Sequence, residues 1–313
     1  MIAYILRRLG ATLIVMGLVG LFVFLLLHLS PGDPAAIIAG DNASPEQIAT
    51  LRASLGLDRS LPLQFLHWFG SIVQGDLGVS IFSNEPVTRL IAQRAGATLS
   101  LAFATLLVAV PIAIALGVAA AHRVGTATDR VLMVFSVMGF SMPAFVVGYL
   151  LIWLFSIQWK LLPVQGFTPI AEGLAPLARS LVLPAITLGL TYTALIARIT
   201  RTSMLEVLSE DFVRTARAKG VAMLPVLIRH ALRNAGVPIV TVVGIGVALL
   251  IGGVVVTETV FNIPGVGRLV VDAIAKRDYP VIQGVILVFS GLYVLVNLAT
   301  DLSYTLIDPR IRY

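Results

Sequence analysis

Residues 209–220 read SEDFVRTARAKG, placing Glu210, Asp211, Arg214, Arg217 and Lys219 in one short block of a 313-residue chain that is only 12% charged. The flanks are of the opposite character. Hydrophobic residues make up 58% of the chain, and charge-free runs approach the roughly 20 residues a helix needs to cross about 30 Å of hydrocarbon. Six such spans are expected, at about 9–29, 98–121, 131–157, 181–200, 238–258 and 281–301. Pro111, Pro143 and Pro184 fall inside three of them, where each removes a backbone donor. The first run is too long for a signal-peptide core and lacks a clear cleavage site, so it reads as an uncleaved span.

The Lys and Arg distribution orients the spans. Arg7, Arg8, Arg123, Arg130, Arg198, Arg201, the charged block, Arg229, Arg233, Arg310 and Arg312 fall on one side. Apart from the long segment after the first span, the other side holds Lys160, Arg179, Arg268, Lys276 and Arg277. Positive-inside asymmetry therefore predicts both termini, and the block, in the cytoplasm. The net charge of +6 suits anionic lipid, and without a basic stripe interleaved with aromatics nucleic acid is set aside as a partner.

The long outer segment has its own order. Ser44-Pro45-Glu46-Gln47 fits a capping box ahead of Ile48, Leu51 and Leu55, with Gly56 as the stop. Pro62–Val73, carrying Phe65, Leu66, Trp68, Phe69 and Ile72, reads as an interfacial helix. The segment either caps the bundle or offers a docking surface to an external partner.

Catalytic chemistry finds no support. No GxxxxGK[ST] loop cradles phosphate, no GxSxG elbow or HExxH site appears, and His28, His67, His122 and His230 are too scattered for a metal. There is no Cys, hence no thiolate nucleophile. No catalytic residue, metal site or bound cofactor is assigned. Arg198, Glu258 and Asp301 sit near predicted span ends, so a carboxylate relay at mid-membrane is weakly supported. The run GIGVALLIGG, Gly244 to Gly253, permits close helix approach, as bundle packing or as a pore or subunit-interface lining.

Within the block, Ser209 is placed to N-cap a short helix with Glu210 and Asp211 in its first turn and Arg217 and Lys219 in its last. Gly220 is placed to end it. A polybasic linker held to lipid headgroups explains the arginines. A helix docked in a groove on another protein also explains the low relief of Thr215, Ala216 and Ala218. Residue physics leaves both open.

Signatures along nearly the whole chain resemble the membrane-spanning permease subunits of bacterial ABC importers for peptides, a group that includes glutathione and nickel permeases. They run in order as LSPGDPA at 29–35, GDLGVS at 75–80, GFSMPAF at 139–145, EDFVRTARAKG at 210–220, HALRNAGVP at 230–238, FNIPGVGRL at 261–269, RDYPVIQG at 277–284 and DPRIR at 308–312. The general importer motif, E-A-A with a glycine four positions on, keeps Ala216 and Gly220 but has Arg214 in place of its glutamate.

The resemblance implies an all-α type I importer permease fold of about six spans. Residues 1–29 would form the first span, 30–96 an extracytoplasmic helical insertion and 97–303 the five-helix core with a cytoplasmic coupling loop at 201–236. Residues 304–313 would be a cytoplasmic tail. It also implies that Glu210, Asp211, Phe212, Arg214, Thr215, Ala216, Arg217, Ala218, Lys219 and Gly220 form the helix that couples the bundle to an ATPase. The expected partners are a second permease chain, two cytoplasmic ATPase subunits that use MgATP, and an extracytoplasmic substrate-binding protein. Small peptides are the expected substrate in a bacterial inner membrane, with glutathione or nickel as alternatives and a self-sufficient carrier or channel as the rival class.

Overall fold

The computed structural model describes residues 2–29, 34–39, 43–54 and 56–307, so the LSPGDPA and DPRIR signatures, Leu55, Arg310 and Arg312 lie wholly or partly outside the described residues. Helices account for the architecture: α1 Ile2–Leu29, α2 Pro34–Ala39, α3 Pro45–Ser54, α4 Leu61–Val73, α5 Val87–His122, α6 Ala127–Ser141 and α7 Ala144–Leu151. A π-turn at Ile152–Gln158 extends α7, and a 3-10 turn at Ile170–Glu172 precedes α8 Leu174–Leu208. The chain continues through α9 Asp211–Ala218, α10 Met223–Pro225, a second π-turn at Val226–Leu232, α11 Gly236–Val260, α12 Val266–Lys276 and α13 Tyr279–Ile307. Among the described residues no β-strand forms.

Helices α5, α8, α11 and α13 are long and apolar enough to cross a membrane, and α1 carries a shorter apolar stretch, Gly10–Leu26. The expected span at 131–157 is not one rod: α6 and the helix from Ala144 to Gln158 form a broken pair bent by 104°. Met142, the residue before Pro143, is extended at φ −82° and ψ 129°. Proline's ring excludes its predecessor from the helical region. Pro111 and Pro184, by contrast, stay inside continuous helices.

Two compact units form, residues 1–94 with 269–294 and residues 95–268 with 295–313. In the first, Phe24 of α1 meets Phe65 edge-on at 5.4 Å and Trp68 at 5.6 Å, which seats the aromatic side of α4 on α1. Leu61, Leu63, Leu66 and Val73 stay exposed. Ser44 and Gln47 exchange backbone-to-side-chain bonds of 2.9 and 3.2 Å, a closed capping box. The same unit joins two distant signatures: Ser80 donates to Asp278 at 2.6 Å, Ile81 N–H bonds the same carboxylate at 3.3 Å, and Gly284 lies against Val87 and Leu77.

In the second unit α8 is the central helix. Its apolar window is 72% buried against 28% for α5 and 39% for α11. A helix enclosed by protein can carry buried polar side chains: Thr187, Thr193, Thr200 and Ser203 are all buried on α8, and the Thr187 hydroxyl donates to the Leu183 carbonyl at 2.8 Å. The core around it joins Leu101, Leu188, Tyr192, Ile196, Leu250 and Phe261. The glycine run of α11 serves this packing: Gly244 abuts Thr300, Gly246 faces Tyr192, and a Cβ at Gly253 would lie 2.7 Å from Leu188.

Candidate functional site

The charged block becomes α9, a helix of 8 residues, or about 12 Å. Its start differs from the expectation. Ser209 does not cap it: α8 runs on to Leu208, and the Ser209 hydroxyl donates back to the Glu206 carbonyl at 2.7 Å. Glu210 is the N-cap residue, extended at φ −69° and ψ 150° and without a side-chain cap bond. Asp211 opens the first turn, where its charge suits the helix dipole, and Thr215 Oγ1 donates to its carbonyl at 2.9 Å.

The end matches the block's glycine. Lys219 closes the helix, Gly220 takes φ +79°, Gly220 N–H bonds Arg217 O at 2.9 Å and Val221 N–H bonds Ala216 O at 3.2 Å. These two bonds make a Schellman motif. A Cβ at Gly220 would meet nothing within 4 Å, so the glycine is needed for its backbone angle and not for space.

Only one side of α9 is anchored. Val213 is 1% exposed and Ala216 half-buried, on the side that packs against the π-turn at Val226–Leu232. Phe212, Arg214, Thr215, Arg217, Ala218, Lys219 and Gly220 face outward, as do Met223, Leu224 and Ile228 beside them. The Arg214 to Asp211 pair at 3.2 Å is 76% and 92% exposed and adds little to stability. The opposite side of the π-turn, Leu227 and Ala231, enters a buried cluster with Ala121 of α5, Met204 of α8 and Ile239 of α11. A solvent-facing helix thus rests on a segment that is itself part of the bundle core.

Sequence reasoning missed two charged centres in this unit. Glu258, placed near a span end, is fully buried: it accepts from Thr98 Oγ1 at 2.6 Å and from Arg268 N–H at 2.9 Å, while Val266 N–H bonds Thr98 Oγ1 at 2.8 Å. The carboxylate therefore sits at the N-terminus of α12, where backbone donors converge. Gly265 and Gly267 approach it so closely that a Cβ at either would collide with it. The signal was present in FNIPGVGRL, whose two glycines follow Glu258 within ten residues. The other centre is Asp129, 4% exposed, which takes Arg201 in a two-pronged pair at 2.6 and 2.8 Å and Gly125 N–H at 3.0 Å, tying α6 to α8.

Comparison with known proteins agrees with this architecture. Residues 113–313 match the family described as binding-protein-dependent transport system inner membrane component, and residues 1–102 match its N-terminal counterpart. The chain is 57% identical over 310 residues to the "Probable peptide ABC transporter permease protein y4tP" of Sinorhizobium fredii, covering 99% of each. It is 44% identical over 313 residues to the "Glutathione transport system permease protein GsiC" of Salmonella typhimurium, covering 100% of each. A crystal structure of the MetNI methionine ABC transporter, titled as inward facing, matches with a TM-score of 0.56 at 17% identity, over 70% of this chain and 96% of that one. The fold is that of a type I importer permease. The chain belongs to the binding-protein-dependent transport system inner membrane components, and it is a multi-pass permease subunit of an ABC importer.

Proposed function

We propose that this permease imports small peptides, with α9 as the helix through which an ATPase drives it. The observation that carries the coupling role is the one-sided anchoring of α9: Val213 is held by the π-turn, the π-turn by the α5, α8 and α11 cluster, and the remaining face points to solvent. A push on that face would reach the bundle through packed side chains rather than through a flexible linker. Phe212, Arg214, Thr215, Ala216, Arg217, Ala218, Lys219 and Gly220 would form the contact surface, with Glu210 and Asp211 at its start.

The partners that complete this machine are a second permease, two ATPase subunits carrying MgATP in the cytoplasm and a substrate-binding protein outside. ATP hydrolysis then belongs to those subunits, and both termini of this chain lie in the cytoplasm. Peptide as substrate is supported by the 57% relative's name, and glutathione, itself a small peptide, by the 44% relatives. Tagging the chain in native membranes and identifying what co-purifies tests the assembly. A second permease and nucleotide-binding subunits are expected, and a chain recovered alone and monodisperse would overturn the coupling role.

A further inference from the structure

Two arginines stand one turn apart on α8 and meet different fates. Arg201 is locked by Asp129. Arg198, at the end of the stretch read as a span, is exposed, and its guanidinium has no hydrogen-bond or ion-pair partner among the described residues. A guanidinium left beside hydrocarbon without a counter-charge is costly, and a side chain of that length can reach the headgroup layer. Beside it runs a groove between α6 and α8, walled by Val137, Phe140 and Leu195. Ser136 and Ser141 also line it, but their hydroxyl protons are spent on Leu132 O and Val137 O, each at 2.8 Å. Arg198 is therefore the groove's side-chain donor for an anion. The outward surface of α6 that continues the groove, Val131, Val134 and Phe135, is bulky and apolar, which is the surface acyl chains cover.

We infer that Arg198 and this groove bind one anionic phospholipid, the guanidinium taking its phosphate and the groove an acyl chain. The planar fork suits phosphate, with two parallel N–H bonds. Local charge favours an anionic headgroup over a zwitterionic one. Asp129 is already neutralised by Arg201 and bonded by Gly125 N–H, so it does not compete for Arg198. Arg130, in the first turn of α6, adds a second exposed cation at the same end of the helix pair. The next acid along α8 on this face is Glu206, eight residues on, or about 12 Å along the axis. Basic pockets between membrane-spanning helices are recurrent places for such headgroups. The site needs only an embedded chain, and the orientation proposed above puts it in the cytoplasmic leaflet.

The test uses the whole assembly as it purifies from native membranes, in detergent and stripped of most native lipid. Native mass spectrometry then counts the lipid retained after addition of dioleoyl phosphatidylglycerol or dioleoyl phosphatidylcholine. Comparing wild type with variants isolates this site from the assembly's other lipid contacts. Arg198→Gln should weaken retention of phosphatidylglycerol about tenfold and change phosphatidylcholine far less, and Arg198→Lys should keep most of it. Glycerol phosphate, the headgroup without chains, should not displace the lipid at equal concentration. Displacement by it would make this a site for free anions. Equal weakening for both lipids would remove the preference for charge. Unchanged retention in Arg198→Gln would place the bound lipid elsewhere, and loss of a partner subunit from that variant would assign Arg198 to a subunit contact. Each of these four results overturns the inference.

Discussion

Helix α9 and the Glu258 centre both concentrate charge, yet the two regions use it in opposite ways. The charges of α9 stand in water, and its sole fully buried side chain is Val213. Glu258 is enclosed, and its oxygens are met by the Thr98 hydroxyl and by the Arg268 N–H in α12's first turn. Charge in water contributes little to folding and is available to a partner. A buried carboxylate is tolerable only when its hydrogen bonds are complete, and it then fixes the elements that supply them. Damage at the first place should appear in transport, and damage at the second in stability.

The largest effect is expected at the enclosed charge. Glu258→Ala strands Thr98 and the α12 donors beside a new void, a loss of about 3 kcal/mol or more. Thermal unfolding in detergent should show it as a lower Tm and poorer recovery of monodisperse chain. A Tm equal to wild type would mean that the knot does not hold α12.

Next comes Gly220→Val, which forces a β-branched residue to φ +79°. Uptake should fall by about tenfold or more while the chain remains in the membrane at normal levels, because the strain falls on the end of an exposed helix, the one proposed to couple to an ATPase. Gly220→Asn, which tolerates the left-handed region, should recover part of the uptake. Normal uptake by Gly220→Val would remove α9 from the coupling role.

Asp129→Asn is smaller. It keeps the shape of the contact with Arg201 but weakens a partly buried ionic pair, by about 1.5–3 kcal/mol, readable in the same thermal assay. Arg214→Gln should be the smallest for stability, within about 0.5 kcal/mol, since its pair with Asp211 is exposed. A measurable drop in ATPase co-purification by Arg214→Gln, with an unchanged Tm, would sharpen the contrast. A lower Tm for Arg214→Gln would break it.

Much of α9 was legible in SEDFVRTARAKG because caps, dipole-matched charges and a terminating glycine act over a few residues. Ser209 shows the limit: its residue type suits an N-cap, but α8 extends far enough to claim it as an end. The capping box at Ser44 closed as read, because Ser44 and Gln47 lie three residues apart and need no distant partner. The bend at Pro143 was only half visible. A proline in an apolar run signals disturbance, but Pro111 and Pro184 carry the same signal inside continuous helices, so neighbouring packing selects which one breaks.

By itself the sequence determined the position of most apolar spans, the charge-dense helix α9 and its stop, and the absence of a phosphate-cradling loop, because each is written in composition or in contacts between near neighbours. The tertiary structure decided which charges are buried and with whom. Glu258 meets Thr98 across 160 residues of chain and Asp129 meets Arg201 across 72. It also decided that Arg198, one turn from a paired arginine, faces an open groove. Separations of that size leave no trace in periodicity, because burial and pairing depend on which helix faces pack together.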